Sequence, residues 1–267
     1  MHLKFYKMSG AGNDFVVADN RRGGFPADPK TIGRICHRRL GVGADGVLLV
    51  EPSKTADFTM RYYNADGSEA EMCGNGARCI ARFYSERCGA GKRELRLETR
   101  AGTIEASVSG DQVRLKLSEP RDLQLRQSLR LKSSAREYHF INTGVPHAVF
   151  FTGNADSEAV QEMGAEVRHH NDFAPRGTNV DWVQPLGGNG IRVRTYERGV
   201  EAETLACGTG VVASAIIGHL VQGVTLPVKV TVQSRRVLEV GFSRNGDRVS
   251  DVTLAGPAEY AFEGTLL

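Results

Sequence analysis

The sequence lacks the features that would place this chain outside the cell, in a membrane or on nucleic acid. Five cysteines in 267 residues are too few for a disulfide scaffold, and an odd number suits free thiols better than a fully paired set. No Cys-x-x-Cys and no His-x-x-x-His occurs, which argues against a zinc site and against a thioredoxin-type redox pair. No apolar run approaches the ~20 residues that cross a bilayer. Met1-His2-Leu3-Lys4-Phe5 does not have the three-part shape of a signal peptide, so a reducing, cytoplasmic location is expected. Neither sign of charge prevails: 34 basic against 31 acidic residues leave +3, too balanced to point to nucleic acid or a membrane surface. The length allows one large or two modest domains, each able to bury a core.

What the sequence does have is one short pattern twice. The first copy is Met72-Cys73-Gly74-Asn75-Gly76-Ala77-Arg78, the second Ala206-Cys207-Gly208-Thr209-Gly210-Val211-Val212. Each Cys-Gly-x-Gly turn runs into an apolar segment that predicts a helix, so each cysteine sits at a helix mouth with unpaired N–H groups and a positive dipole. A thiolate is stabilised there, and the thiol pKa is expected to drop below its free value of about 8.5. Tyr63-Asn64 before Cys73 echoes Tyr196-Glu197 before Cys207. A duplicated α+β fold follows as the expectation: many short strands, one peripheral helix and one central helix in each half.

Along the chain, His2 to Met8 and Phe15 to Ala18 alternate as strands do, around the turn Ser9-Gly10-Ala11-Gly12-Asn13-Asp14. Asn13 can offer its amide to a ligand or cap its own turn. Asp28-Pro29 opens a helix with Ile32, Ile35, Cys36 and Leu40 on one face, stopped by Gly41. The glycine-rich run 41–46 lacks the Lys-Ser/Thr ending of a phosphate loop and leads into a strand. The helix after Cys73 aligns Ala77, Ile80, Ala81, Tyr84 and Cys88 and ends at Gly89. Cys36, Cys79 and Cys88 are expected to be structural. The charged stretch 120–136 shows no period and is expected to connect the domains. A helix over Ser157 to His169 follows, and Val211 to Val221 is apolar nearly all round, which predicts burial. The domains are expected to be 1–118 with the tail 256–267, and 119–255, with the active site in the cleft between them.

Two matched thiols suit a reaction that removes a proton from one face of a carbon and returns one to the other. The α-hydrogen of an amino acid is only weakly acidic. Without a cofactor, the charge must be stabilised by backbone N–H groups in a dry cleft. A reversible Cys73–Cys207 disulfide is a side reaction open to the same pair.

Six segments together resemble the bacterial diaminopimelate epimerase family over essentially the whole chain. They are Lys7 to Phe15, Tyr63 to Ser68, Cys73 to Cys79, Gly144-Val145-Pro146-His147, Tyr196 to Gly199 and Ala206 to Gly210. The resemblance implies two pseudo-symmetric domains, each a β-barrel-like sheet around a central helix. It implies cofactor-independent interconversion of LL- and meso-2,6-diaminopimelate, in lysine and peptidoglycan biosynthesis, by an isomerase that is often a homodimer and binds neither metal nor nucleic acid. It makes Cys73 and Cys207 the base and acid pair. Asn13, Asn64, Asn179, Glu197 and Arg198 would hold the substrate's polar groups. Gly74, Asn75, Gly208 and Thr209 would bind the reacting carboxylate, and His147 and Glu197 would tune the thiols. Arg198 also fits a distal carboxylate, since guanidinium binds it bidentately. Some members carry glutamine where Gly46 stands and asparagine where Val145 stands, both contacting substrate. The distal end is therefore expected to be held by backbone or water here. Proline and hydroxyproline racemase relatives use two cysteines on other substrates, phenazine-pathway isomerases of the same fold lack the pair, and a binding protein would not exchange the α-hydrogen.

Overall fold

Alternating apolar and polar residues form most of the chain into strands. The computed structural model describes residues 3–132, 134–246 and 248–266, so His2 and Leu267, expected in a strand and in the tail, lie outside the described residues. The chain divides into two compact units: one runs to Lys116 and resumes at Ala255, the other is Leu117–Leu254.

The first unit contains β1 (Leu3–Gly10), β2 (Asn13–Asp19), α1 (Pro29–Cys36), β3 (Gly46–Glu51), β4 (Phe58–Asn64), β5 (Glu69–Ala70), α2 (Gly74–Phe83), β6 (Glu94–Thr99), β7 (Gly102–Ser109) and β8 (Gln112–Lys116). β1 and β2 pair antiparallel, and β2 pairs with β3 in parallel, Phe15 opposite Gly46. β4 is antiparallel to β3 and β5, and parallel to β6. β6, β7 and β8 form a meander. α2 runs inside this sheet, touching β1, β2, β3, β4, β7 and β8. Its residues Asn75 to Ala81 are all buried.

The second unit repeats this order with β9 (Arg121–Arg130), β10 (Ala135–Asn142), β11 (Pro146–Phe151), α3 (Val160–Arg168), β12 (Asn179–Gly187), β13 (Gly190–Glu197), β14 (Ala202–Thr204), α4 (Gly208–Gln222), β15 (Val228–Thr231), β16 (Val237–Asn245) and β17 (Arg248–Pro257). β11 and β12 pair in parallel, His147 opposite Asn179. β13 is antiparallel to β12 and β14, and parallel to β15. α4 is buried from Gly210 to Gly218 and ends on left-handed Gly223. It touches β10, β11, β12, β13, β15 and β16. The final strand, β18 (Glu259–Leu266), pairs with β1 as β9 pairs with β10. The duplication read in the sequence thus holds strand by strand.

The outer helices are duplicated as well. Ile32, Ile35 and Cys36 of α1 pack on Val16, Val47, Leu49 and Tyr63. Val160 and Val167 of α3 pack on Phe150, Val180, Trp182 and Tyr196.

Three local expectations are corrected. The stretch 120–136 is not a free connection but carries β9 and the start of β10. β9 shows no apolar period because almost none of its residues is buried, and left-handed Asp122 and Arg126 interrupt its alternation. α1 stops at Cys36, where the ring nitrogen of His37 accepts from the N–H groups of Arg39 and Leu40, and this leaves Leu40 76% exposed. The helix expected from Ser157 begins only at Val160, because Asn154 caps a separate 3-10 turn over Ala155–Ser157.

Candidate active site

In the first unit Cys73 is the N-cap of α2, with extended backbone. Its carbonyl accepts from the Ala77 N–H at 2.7 Å, so residues 74–76 form the first turn at the mouth of the helix, the positive end of its dipole. Gly10 makes the approach possible: a Cβ there would lie 2.6 Å from the Asn75 carbonyl oxygen and 3.2 Å from Cys79 Sγ. The Cys73 thiol donates to Asn13 Oδ1 at 3.6 Å, and Asn13 Nδ2 donates to Asp45 at 2.5 Å. Asn13 is therefore neither a simple turn cap nor a free ligand amide; it links the thiol to a carboxylate. Asp45 in turn is gripped by Arg38 at 2.7 Å, and Arg38 also holds Asp14 at 2.8 Å.

Asp14 is the anchor of this charged group. Burial alone would raise its pKa, but hydrogen bonds and charge from Arg38 and Lys7, whose Nζ lies 2.6 Å away, outweigh burial and hold it at about 2. Lys7 also donates to the Gly43 carbonyl. A carboxyl held below its unfolded value stabilises the fold above about pH 4 and loses that contribution as pH falls through about 2, on the order of 2 kcal/mol. The urea midpoint of the wild type is expected to fall more steeply between pH 4 and pH 2 than that of Asp14→Asn; parallel curves would refute the assignment.

Asn64 stands opposite Gly46 across β3 and β4, and its side chain donates to Ser68 Oγ at 3.1 Å. A Cβ at Gly46 would meet the Tyr63 carbonyl oxygen at 2.4 Å and the Tyr62 ring at 2.6 Å. The Tyr62 ring thus occupies the direction in which a side chain at 46 would start. Below the mouth, Arg78 is completely buried. Its Nη2 donates to Asn75 Oδ1 at 2.8 Å. Among the described residues its Nε and Nη1 have no hydrogen-bond partner. Burial pushes its pKa down, against the opposing pull of the Cys79 and Cys73 thiols. Cys36, Cys79 and Cys88 are poor nucleophiles: burial pushes their thiols up to about 11, about 12 and about 11.

In the second unit Cys207 is the N-cap of α4 and is 6% exposed. Its Sγ lies 3.4 Å from Thr209 Oγ1. Thr209 Oγ1 lies 2.9 Å from His147 Nε2, and His147 Nδ1 lies 2.7 Å from Asp181 Oδ2. The other Asp181 oxygen accepts from the Thr195 hydroxyl at 2.6 Å. Thr143 fixes the mouth by donating to the Thr209 carbonyl at 2.9 Å. Asn179 uses both ends of its amide: Nδ2 donates to the Pro146 carbonyl at 3.0 Å, and Oδ1 accepts the Arg198 N–H at 2.8 Å. It ties the His147 strand to the Glu197-Arg198 turn. The Arg198 guanidinium is pushed toward its neutral form by burial and by Arg168 and Arg176, so an incoming carboxylate would be favoured there.

The expected fall in thiol pKa does not occur at Cys207. Burial first, then the Glu197 and Asp181 carboxylates, push it well up, against Thr209 and the Gly210 N–H. The helix mouth is real, but an enclosed thiol beside two acids resists ionisation. Burial likewise raises the Glu197 carboxyl, with His147 acting the other way.

The structure brings Asn13 to Cys73, and Thr209, His147 and Glu197 to Cys207. Sequence reading missed Asp45, Arg78 and Asp181. Asp181 did leave a signal, since it is the one charged residue of β12. Among the described residues no three His, Cys, Asp or Glu side chains converge as a metal site would require, and no helix is long and apolar enough to cross a membrane.

Comparison with solved structures shows the fold. The phenazine biosynthesis protein of Bacillus anthracis superimposes with a TM-score of 0.73 at 16% identity, covering 100% of this chain and 99% of that one. A probable proline racemase from Agrobacterium radiobacter does so at 0.72 and 17%, covering 99% and 93%. Sequence similarity decides between such neighbours. A protein of Chlorobaculum tepidum named diaminopimelate epimerase is 42% identical over 264 residues, 97% of this chain and 99% of its own. The sequence model described as diaminopimelate epimerase matches residues 5–121 and 139–258, a span that takes in both cysteine turns, and on these grounds the chain belongs to the diaminopimelate epimerase family.

Proposed function

We propose that this chain interconverts LL- and meso-2,6-diaminopimelate without a cofactor, as an isomerase of lysine and peptidoglycan biosynthesis, with Cys73 and Cys207 as its acid and base. The observation that carries this reading is the duplicated half-site: in each unit a thiol caps the mouth of a buried helix. Each mouth can accept a carboxylate oxygen, through residues 74–76 and 208–210. Stabilising the charge that develops as the α-proton leaves is what a cofactor would otherwise do.

In this proposal one thiolate removes the α-hydrogen while the other thiol delivers a proton to the opposite face, and the reverse reaction exchanges their roles. Gly74, Asn75, Gly208 and Thr209 bind the reacting carboxylate. Asn13, Asn64, Asn179, Glu197 and Arg198 hold the remaining polar groups, with Asn13 and Asn179 acting largely through the loops they fix. His147 and Glu197 set the ionisation of Cys207. The proposal extends to a cytoplasmic homodimer, on the resemblance alone.

Incubation with LL-diaminopimelate in heavy water, followed by chiral separation and mass spectrometry, tests it. Meso product carrying one deuterium at the inverted carbon is expected with no additive. Exchange into proline but not diaminopimelate would instead make the chain a racemase of another substrate class.

A further inference from the structure

The two units repeat each other's topology, but the chemistry beneath the two thiols differs. In the register of the duplicated strands, His147 takes the place of Phe15, because His147 faces Asn179 as Phe15 faces Gly46. Asp181 takes the place of Leu48: a Cβ on Gly210 would meet Asp181 Oδ1 at 2.5 Å, and one on Gly76 would meet Leu48 at 3.1 Å. Thr209 stands where Asn75 stands, two residues after the cysteine. At these two positions the second unit therefore replaces the apolar Phe15 and Leu48 with fully buried polar groups, His147 and Asp181 each having no exposure. The sequence supplies no reason to bury an acid and an imidazole under one helix mouth and not under the other.

The hydrogen bonds in that line fix one another's direction. Asp181 already accepts the Thr195 hydroxyl and as a carboxylate can only accept. His147 Nδ1 must then be the protonated nitrogen, which leaves the Nε2 lone pair facing Thr209 Oγ1. Thr209 donates to Nε2, and its oxygen is free to accept from the Cys207 thiol.

We propose that Asp181 is a positioning residue that holds His147 with its Nε2 lone pair toward Thr209, so that Cys207 exchanges its proton with His147 through the Thr209 hydroxyl. The step balances within the protein. The Cys207 S–H proton passes to Thr209 Oγ1 as the Thr209 hydroxyl proton passes to His147 Nε2. The products are a thiolate and an imidazolium whose Nδ1–H faces the Asp181 carboxylate. The groups facing Cys207 are Glu197 on β13, Asp181 on β12, His147 on β11 and the Gly210 N–H of α4. Of these, Glu197 acts on the thiol directly, and His147 is connected to it through the Thr209 hydroxyl. The inference deepens the proposed two-thiol reaction and rests on it for its purpose, but it concerns the state of one thiol and can be tested without substrate.

The experiment measures iodoacetamide alkylation of Cys207 near neutral pH, read on the cysteine peptide by mass spectrometry, with Cys73 of the same molecules as reference. Asp181→Asn and Thr209→Val are each expected to slow Cys207 by about tenfold, the equivalent of one pKa unit, while leaving the Cys73 rate unchanged. The double variant should be no slower than the slower single variant, because the groups act as one chain. Plain removal of a negative neighbour would do the opposite and speed Cys207, so an unchanged or faster rate in Asp181→Asn overturns the proposal, as do losses that multiply. Nitrogen-15 spectra of the wild-type His147 ring give a reading independent of any variant's folding: the proton is expected on Nδ1, and a proton on Nε2 of the neutral ring overturns the proposal. A protein that passes these tests but leaves diaminopimelate unchanged would refute the proposed substrate and not the relay.

Discussion

Cys73→Ala and Cys207→Ala are each expected to lower epimerisation by at least ~10³-fold, within the range that positioned acids and bases contribute. The reason is geometric. A planar carbanion has two faces, and a single remaining thiol can return a proton only to the face from which it took one. Each variant should therefore keep a trace of chemistry that wild-type kinetics hide: washout of the α-hydrogen of one epimer into heavy water, without inversion. The two variants should show this on opposite epimers. Replacing either cysteine removes one sulfur from a helix cap and leaves the sheet untouched, so circular dichroism should match the wild type. Measurable inversion by either variant would remove the two-base mechanism, and exchange of the same epimer by both would remove the assignment of one thiol to each face.

Arg78→Met is expected to make the protein more stable and much less active. The guanidinium is fully buried, bonds Asn75 through one nitrogen, and its Nε and Nη1 have no hydrogen-bond partner among the described residues. Burying a cation with unpartnered nitrogens costs more than one hydrogen bond returns. Exchange of buried charges for apolar groups of similar volume is often neutral or stabilising by ~1–4 kcal/mol. For a chain of this size that corresponds to a rise in melting temperature of roughly 2–10 °C. The charge is one turn below the mouth of α2, where it adds to the field of the first N–H groups and fixes the Asn75 amide. Losing it should reduce kcat/KM by ~10²-fold, as removal of one preorganised donor does. Calorimetry and steady-state rates on one preparation decide the matter. A destabilised variant would make Arg78 a structural residue, and a fully active one would free it from the site.

The repeated Cys-Gly-x-Gly turns and the apolar segments behind them were legible in the residues because they are local. Helix caps, β alternation and turns are set by contacts within a few positions. The absent period of 120–136 misled for the same reason: β9 is almost wholly exposed, so no buried face imposed a pattern on it. The ionisation of Cys207 could not be read locally. A helix mouth lowers a thiol pKa in isolation, but Glu197, Asp181 and burial reach Cys207 only through the fold, and together they outweigh the mouth. The same holds for Asn13, whose link between Cys73 and Asp45 spans two strands and a loop, and for Tyr62, which takes the space in front of Gly46. The sequence by itself determined that two thiols head two buried helices in a duplicated chain. Only the tertiary structure decided that one of them stands over apolar side chains and a buried guanidinium and the other over a histidine and an aspartate, because charge and desolvation act through space between residues far apart in the chain.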